Sequence, residues 1–142
     1  MRMGAFAVIF DDERRVLLCH RRDIDAWNLP GGRVEDGEAP WDAVIRETRE
    51  EVGLDVEISR LTGLYWKPDT AELVFSFECQ VVSGTPGLSD EADKVGRFPV
   101  DGLPTNTGRK HVERIRDALA DSPPVMRVQT GPGMRALLGN RT

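Results

Sequence analysis

At 142 residues and 15.8 kDa the chain is about one domain's worth of sequence, and its 39% hydrophobic and 30% charged residues exclude collagen-like, fibrous and disordered classes. A net charge of −5 argues against binding a nucleic-acid backbone, so DNA is excluded as a partner and RNA is disfavoured. Apolar runs such as Ala5–Phe10 fall far short of the roughly 20 residues that span a bilayer, and no basic-then-apolar leader opens the chain, so a cytoplasmic location without membrane attachment is expected.

In chain order, Gly4–Phe10 predicts a strand, Asp11–Arg14 a polar turn, and Arg15–Arg22 its partner in an opening hairpin. Leu29-Pro30-Gly31-Gly32 then breaks the pattern, so a loop that turns sharply or approaches something closely is expected there. Trp41, Val44, Ile45, Thr48 and Val52 fall on one stripe of an amphipathic helix, Pro40–Val52. Pro40 suits its first turn, Glu38 lies where the helix dipole favours an anion, and Gly53 suits its end. Asp55–Trp66 has strand character. Leu73–Val82 alternates strictly, with Leu73, Phe75, Phe77, Cys79 and Val81 facing inward and Val74, Ser76, Glu78 and Gln80 on a wet face. A turn at Ser83–Gly87, a short strand at Lys94–Val100 and a helix at Thr107–Asp121 follow, the helix with Val112, Ile115, Ala118 and Leu119 on one face. Residues 1–121 thus read as one domain. Residues 122–142, with Arg127, Arg135 and Arg141 and no acid, read as an extension either docked or mobile. Cys19 and Cys79 lie in apolar stretches and are expected as buried reduced thiols.

Glu47, Glu50 and Glu51 share a helix face away from the apolar stripe. Taken alone this is what a solvated Glu/Arg face looks like. Like charges at that spacing oppose the helix by a few tenths of a kcal/mol per pair, so the cluster needs counter-charges, of which Arg46 and Arg49 supply part, or a hard divalent cation.

From Gly32 the sequence runs five residues to Glu38, seven more to Arg46-Glu47-Thr48-Arg49-Glu50-Glu51, and on through Val52-Gly53 to Leu54. This stretch resembles the signature of the Nudix hydrolases, MutT-like proteins, at every fixed position, with Thr48 standing at an apolar one. Trp27–Gly32 extends the likeness, and a weaker form covers most of Gly4–Ala120. The resemblance implies an α/β (α+β) fold with a mixed sheet sandwiched between helices. It also implies Mg²⁺-dependent hydrolysis, with Mn²⁺ as substitute, of a pyrophosphate bond in a small nucleoside diphosphate linked to another group X. By the same resemblance Glu50 and Glu51 are direct metal ligands, Glu47 is a ligand or the base for the attacking water, the Gly31 carbonyl is a further ligand, and Arg46 orients Glu47. Glu38 would tie the loop to the helix. Glu91, in the acidic loop Ser89–Asp93, is the expected further ligand or base, although Arg97 stands before Phe98 where a tryptophan is often seen. Hard oxygen donors without a Cys/His cluster agree with Mg²⁺ rather than Zn²⁺. One of His20, Arg21 and Arg22, at the end of the second strand, could meet a phosphate, with Arg22 the choice, and Trp66, beside Tyr65, could stack on a base. The partners expected are a small nucleotide and, as an open option, a second copy of the chain. Two alternatives remain at this point: a non-catalytic nucleotide sensor and an RNA 5′-end pyrophosphohydrolase.

Overall fold

The apolar run near the N-terminus forms β1 (Arg2–Ile9), but it does not fold back on the strand that follows. In the computed structural model, which describes residues 1–120, 122–134 and 137, β2 (Arg15–Arg21) pairs with β3 (Trp27–Asn28) and β7 (Ala92–Pro99) in a three-stranded sheet. β1 lies in a second, five-stranded sheet, between β4 (Gly31–Arg33), antiparallel, and β6 (Glu72–Gly84), parallel. That sheet continues through β5 (Leu54–Lys67) to β8 (Val125–Val128). The expected opening hairpin is therefore corrected. Of it there remain the Phe10–Val16 bridge and a turn in which Asp11 bonds to residues 13–15, including Asp11 N–H to the Arg15 carbonyl and Arg14 N–H to the Asp11 carbonyl. β1 and β2 are near-continuous apolar runs, buried on both faces, and strands of that kind belong at sheet centres with a neighbour on each side.

The two helices cover opposite faces of β1. Ala5, Ala7 and Ile9 pack with Ala43, Val44 and Val52 of α1 (Pro40–Val52), while Val8 packs with Ile115 and Ala118 of α2 (Arg109–Leu119). This is the expected mixed sheet between helices. α1 begins with Pro40 and stops at Gly53, whose φ of 74° is a left-handed backbone that suits glycine. Trp41, placed on the apolar stripe by its spacing, stays 57% exposed in the first turn. α2 ends at Leu119; Asp121, the last residue of its expected span, lies outside the described residues, as do Arg135 and Arg141 of the basic end.

Two further differences matter for the site. Gly31 opens the short strand β4 instead of lying in a loop, at a sheet edge where glycine is tolerated. Its φ of 151° and the backbone of β1 leave no room for a side chain: a Cβ there would lie 2.6 Å from Phe6 Cα and closer still to the Ala5 carbonyl oxygen. The wet face expected for β6 is also corrected, because Val74 and Ser76 are fully buried. β6 runs between β1 and β5 with both faces covered over its first half, and only its far end, from Gln80, emerges into solvent. Beyond α2, β8 pairs in parallel with β5 from Gly63 to Trp66 and so docks the first part of the C-terminal segment. No described helix is long and apolar enough to cross a membrane.

Replacing Gly31 with alanine should lower the unfolding free energy by about 1–3 kcal/mol through this overpacking, measured by urea denaturation. A variant as stable as the parent would show that β4 can move away from β1.

Candidate active site

The loop before α1 is fixed to the helix by one arginine. Arg46 Nε and Nη2 donate to the two oxygens of Glu38 at 2.8 and 2.9 Å, and Nη2 also donates to the Arg33 carbonyl at 3.1 Å. Glu38 in turn accepts the Glu35 N–H, and these bonds hold its carboxyl down at about 2, the Arg46 guanidinium contributing most. Arg46 Nη1 reaches the other way, to Glu47 Oε1 and Glu50 Oε2 at 3.1 Å each. One guanidinium thus touches three carboxylates of the signature.

The structure brings Glu47, Glu51 and Glu91 together, with one carboxylate oxygen of each inside a group whose members lie within 4.8 Å of one another. Glu50 stands apart from that triplet, exposed and turned to Arg46. Gly32 shapes the floor: a Cβ there would lie 2.7 Å from the Glu47 carboxyl carbon and would push that carboxylate out of its present place. Gly31, its neighbour, is held against β1 in the same short strand.

Glu51 is the most enclosed of the three. Its Oε1 accepts the Cys19 thiol at 2.6 Å, yet burial outweighs that bond and, with Glu91 and Glu47 nearby, pushes its carboxyl up to about 8. The buried Cys19 thiol is pushed well up by the same loss of water and by the Glu51 charge. Burial also raises Glu47, against the pull of Arg46. Three carboxylates side by side, two of them raised by burial and all of them hard oxygen donors, fit a divalent cation of the Mg²⁺ or Mn²⁺ type.

Glu91 reaches the cluster because its loop is pinned on several sides. Ser89 Oγ accepts the N–H groups of Glu91 and Ala92, and Arg22 donates from its backbone to the Glu91 carbonyl and from Nε to the Ser89 carbonyl at 2.7 Å. His20, buried, lies 2.7 Å from Asp93 through Nδ1 and 2.7 Å from Asp25 through Nε2.

Beside the cluster lies a cavity of about 520 Å³, lined by Phe6, Arg21, Asn28, Lys67, Lys110 and Arg114 among others. Arg21 links the two, because it lines the cavity while feeling the charges of Glu51 and Glu91. Arg22 and Trp66, the residues expected to meet substrate, are not on its wall; their neighbours Arg21 and Lys67 are. Arg22 is spent on the Ser89–Glu91 loop, and Trp66 is about one-third exposed on β5. Cys19 is read from the sequence only as a buried thiol, and Asn28, Arg114 and Gln129 are not read from it as site residues. The Asn28 position next to the Pro-Gly-Gly run was the one signal available, since the others depend on contacts between distant segments.

A NUDIX domain profile matches residues 1–119. The chain belongs to the NUDIX family. A MutT-like protein of Streptomyces ambofaciens is 32% identical over 124 residues, 87% of this chain and 80% of its own length. A Bacillus subtilis relative named for 8-oxo-dGTP diphosphatase activity is 33% identical over 96 residues, 66% of this chain, and the match spans 62% of that relative's length. The crystal structure of an ADP-ribose pyrophosphatase from Streptococcus suis superposes with a TM-score of 0.74 at 25% identity, covering 90% of this chain and 98% of its own.

The raised Glu51 makes the metal-free NUDIX chain pH-sensitive in a defined direction. A carboxyl that ionises near 4.5 when unfolded and near 8 when folded gives the folded state extra bound protons between those values, so stability falls as pH rises through that window. In EDTA the melting temperature should therefore fall from pH 5 to pH 8, Glu51→Gln should flatten the slope, and added Mg²⁺ should restore the loss at pH 8. A slope unchanged in Glu51→Gln would assign the effect to other groups.

Proposed function

We propose that this NUDIX protein hydrolyses the pyrophosphate bond of a small nucleoside diphosphate linked to a group X, with Mg²⁺ as its ion and Mn²⁺ as substitute. The observation that carries the reading is the triplet Glu47, Glu51 and Glu91, linked through Arg21 to a cavity whose wall carries more cations than acids. A diphosphate would be repelled by bare carboxylates and drawn in by the same carboxylates once divalent ions cover them.

Glu47, Glu51 and Glu91 would hold the ions, with the Gly31 carbonyl as a further donor and Glu50, which shares Arg46 Nη1 with Glu47, as a ligand reached by rotation of its side chain. When bound, the ions polarise the phosphoryl oxygens and lower the pKa of a bound water. Arg46 would keep Glu47 aimed at the cluster, and the Cys19 thiol would restrain Glu51 through its Oε1. Glu47, raised by burial, would take the proton of the attacking water, with Glu91 the second candidate for that step. X would occupy the adjoining cavity.

A panel of nucleoside triphosphates, 8-oxo-dGTP, ADP-ribose, diadenosine polyphosphates and sugar nucleotides, assayed with Mg²⁺ and again with EDTA, should show metal-dependent turnover of at least one member. No turnover on any would remove the hydrolase reading and favour a nucleotide sensor. On the best substrate Glu50→Gln and Glu51→Gln should each lower kcat/KM by two orders of magnitude or more, about 3 kcal/mol of transition-state stabilisation, with the fold retained. Glu91→Gln should reduce kcat by roughly ten- to a thousandfold with a smaller change in KM. Asp90→Asn is the matched control, because Asp90 is exposed in the same loop, whereas Asp93 is bonded to His20 and its loss would disturb the loop itself. Equal losses in Glu91→Gln and Asp90→Asn would reduce the role of Glu91 to long-range charge.

A further inference from the structure

The cavity wall carries a buried cation with one nitrogen left unpaired among the described residues. Arg114 of α2 is 2% exposed, and its guanidinium stands over the rings of Phe6 and Tyr65 at 5.1 and 5.5 Å. Nε and Nη2 both donate to Oε1 of Gln129, at 3.2 and 2.8 Å. Nη1 has no acceptor among the described residues. A buried guanidinium bonded to a neutral amide and two ring faces, with Glu72 and Glu113 acting on it only through their charges, is an expensive arrangement, because loss of water outweighs that support and no carboxylate is bonded to it.

The nearby acids are already engaged. Glu72 is bonded to Lys67 Nζ at 2.8 Å, and Glu113 accepts Gln129 Nε2 at 3.0 Å. Lys110, on the same wall, donates its Nζ to the Gly131 carbonyl and forms no ion pair among the described residues. Its ammonium is pushed down by loss of water and by the charges of Lys67 and Arg114, so these cations repel one another across the cavity.

Gln129 is not free to turn. Its Nε2 donates to the Lys110 carbonyl and to Glu113, which leaves Oε1 for Arg114, and its backbone N–H donates to the Trp66 carbonyl at 2.8 Å. It follows directly on β8, and Pro132, Gly133 and Met134 continue the same wall, all beyond the residues that match the family profile.

We propose that the cavity selects an X group bearing a phosphate of its own, read by Arg114 together with Lys110, and that Gln129 of the C-terminal segment is the residue that positions Arg114. A neutral base or sugar would leave Nη1 unbonded and the cations facing each other. A phosphate monoester supplies paired oxygens to a planar guanidinium and cancels the repulsion. The proposal rests on the pyrophosphohydrolase reading for the place of X, since the diphosphate must lie at the carboxylates.

Binding to metal-free protein in EDTA tests it apart from turnover, using adenosine 3′,5′-bisphosphate and AMP as probes in calorimetry. The bisphosphate should bind tighter than AMP by about tenfold or more, the range of one charge-assisted contact. Arg114→Met and Gln129→Leu should each abolish that preference, while Arg116→Gln, which removes the same charge from the other side of α2, should keep it. Equal affinities in the parent, no binding of either probe, or a preference that survives in Gln129→Leu would overturn the proposal. Should Arg114→Met fail to fold, Lys110→Gln takes its place, with the same loss expected. Metal-dependent turnover without a bisphosphate preference would sink the phosphate site alone; the preference without turnover on any substrate would sink the hydrolase reading alone.

Discussion

Carboxylates drawn toward one end of a helix repel one another, and everything around α1 is arranged to hold them there. Arg46 is the centre of that arrangement. Its three nitrogens are divided between Glu38 and the Arg33 carbonyl on one side and Glu47 and Glu50 on the other. Loop, helix and site are thereby registered by a single cation, and a lysine could not repeat it, because a point charge lacks the planar fork that serves both directions. The same argument explains the fixed distance from Glu38 to Arg46 in the signature: the first acid must lie before the helix to receive Nε and Nη2 while Nη1 points along it.

The remaining charge is controlled by burial. Glu51 is enclosed against Cys19, and its carboxyl is lifted to about 8, so without metal the site relaxes by holding a proton. A divalent ion must displace that proton, and its affinity therefore rises with pH. The two sheets make this geometry: β2 carries Cys19 on one, β4 carries Gly32 on the other, and α1 lies where the two strands bring them near its acids. The separation of β1 and β2 into different sheets, which looked from the sequence like a simple hairpin, is what opens the space between them.

Much of α1 was legible because its signals are local. Pro40, Gly53 and the 3.6-residue spacing of Val44, Thr48 and Val52 lie within one helix and needed no partner to be read. The partnering of β1 was illegible because a continuous apolar run states that a strand is buried without saying beside what. The choice of Arg22 and Trp66 missed the cavity wall by one residue in each case. Both choices rest on a place at a strand end, and a strand end does not say which of its side chains turns to the cavity; that depends on pairing with distant strands, irregular here between His20 and Arg21. Arg114 was hidden for a different reason: an arginine on an amphipathic helix reads as solvated, and only the docking of β8 and Gln129 onto β5 encloses it.

The two halves of the site have opposite charge, and Arg21 lies at their boundary. It faces the cavity and feels Glu51 and Glu91, so a substrate spanning the boundary meets carboxylates at one end and guanidinium and ammonium groups at the other. Such a dipolar site orients an elongated anion best once ions have covered the acidic end, because the carboxylates then attract the diphosphate that they otherwise repel. Metal binding then serves orientation as well as chemistry. In the C-terminal segment this places a structural demand on Gln129, because an Arg114 left loose would swing toward Glu72 or Glu113, and the cationic end would lose the fixed geometry that distinguishes one group X from another.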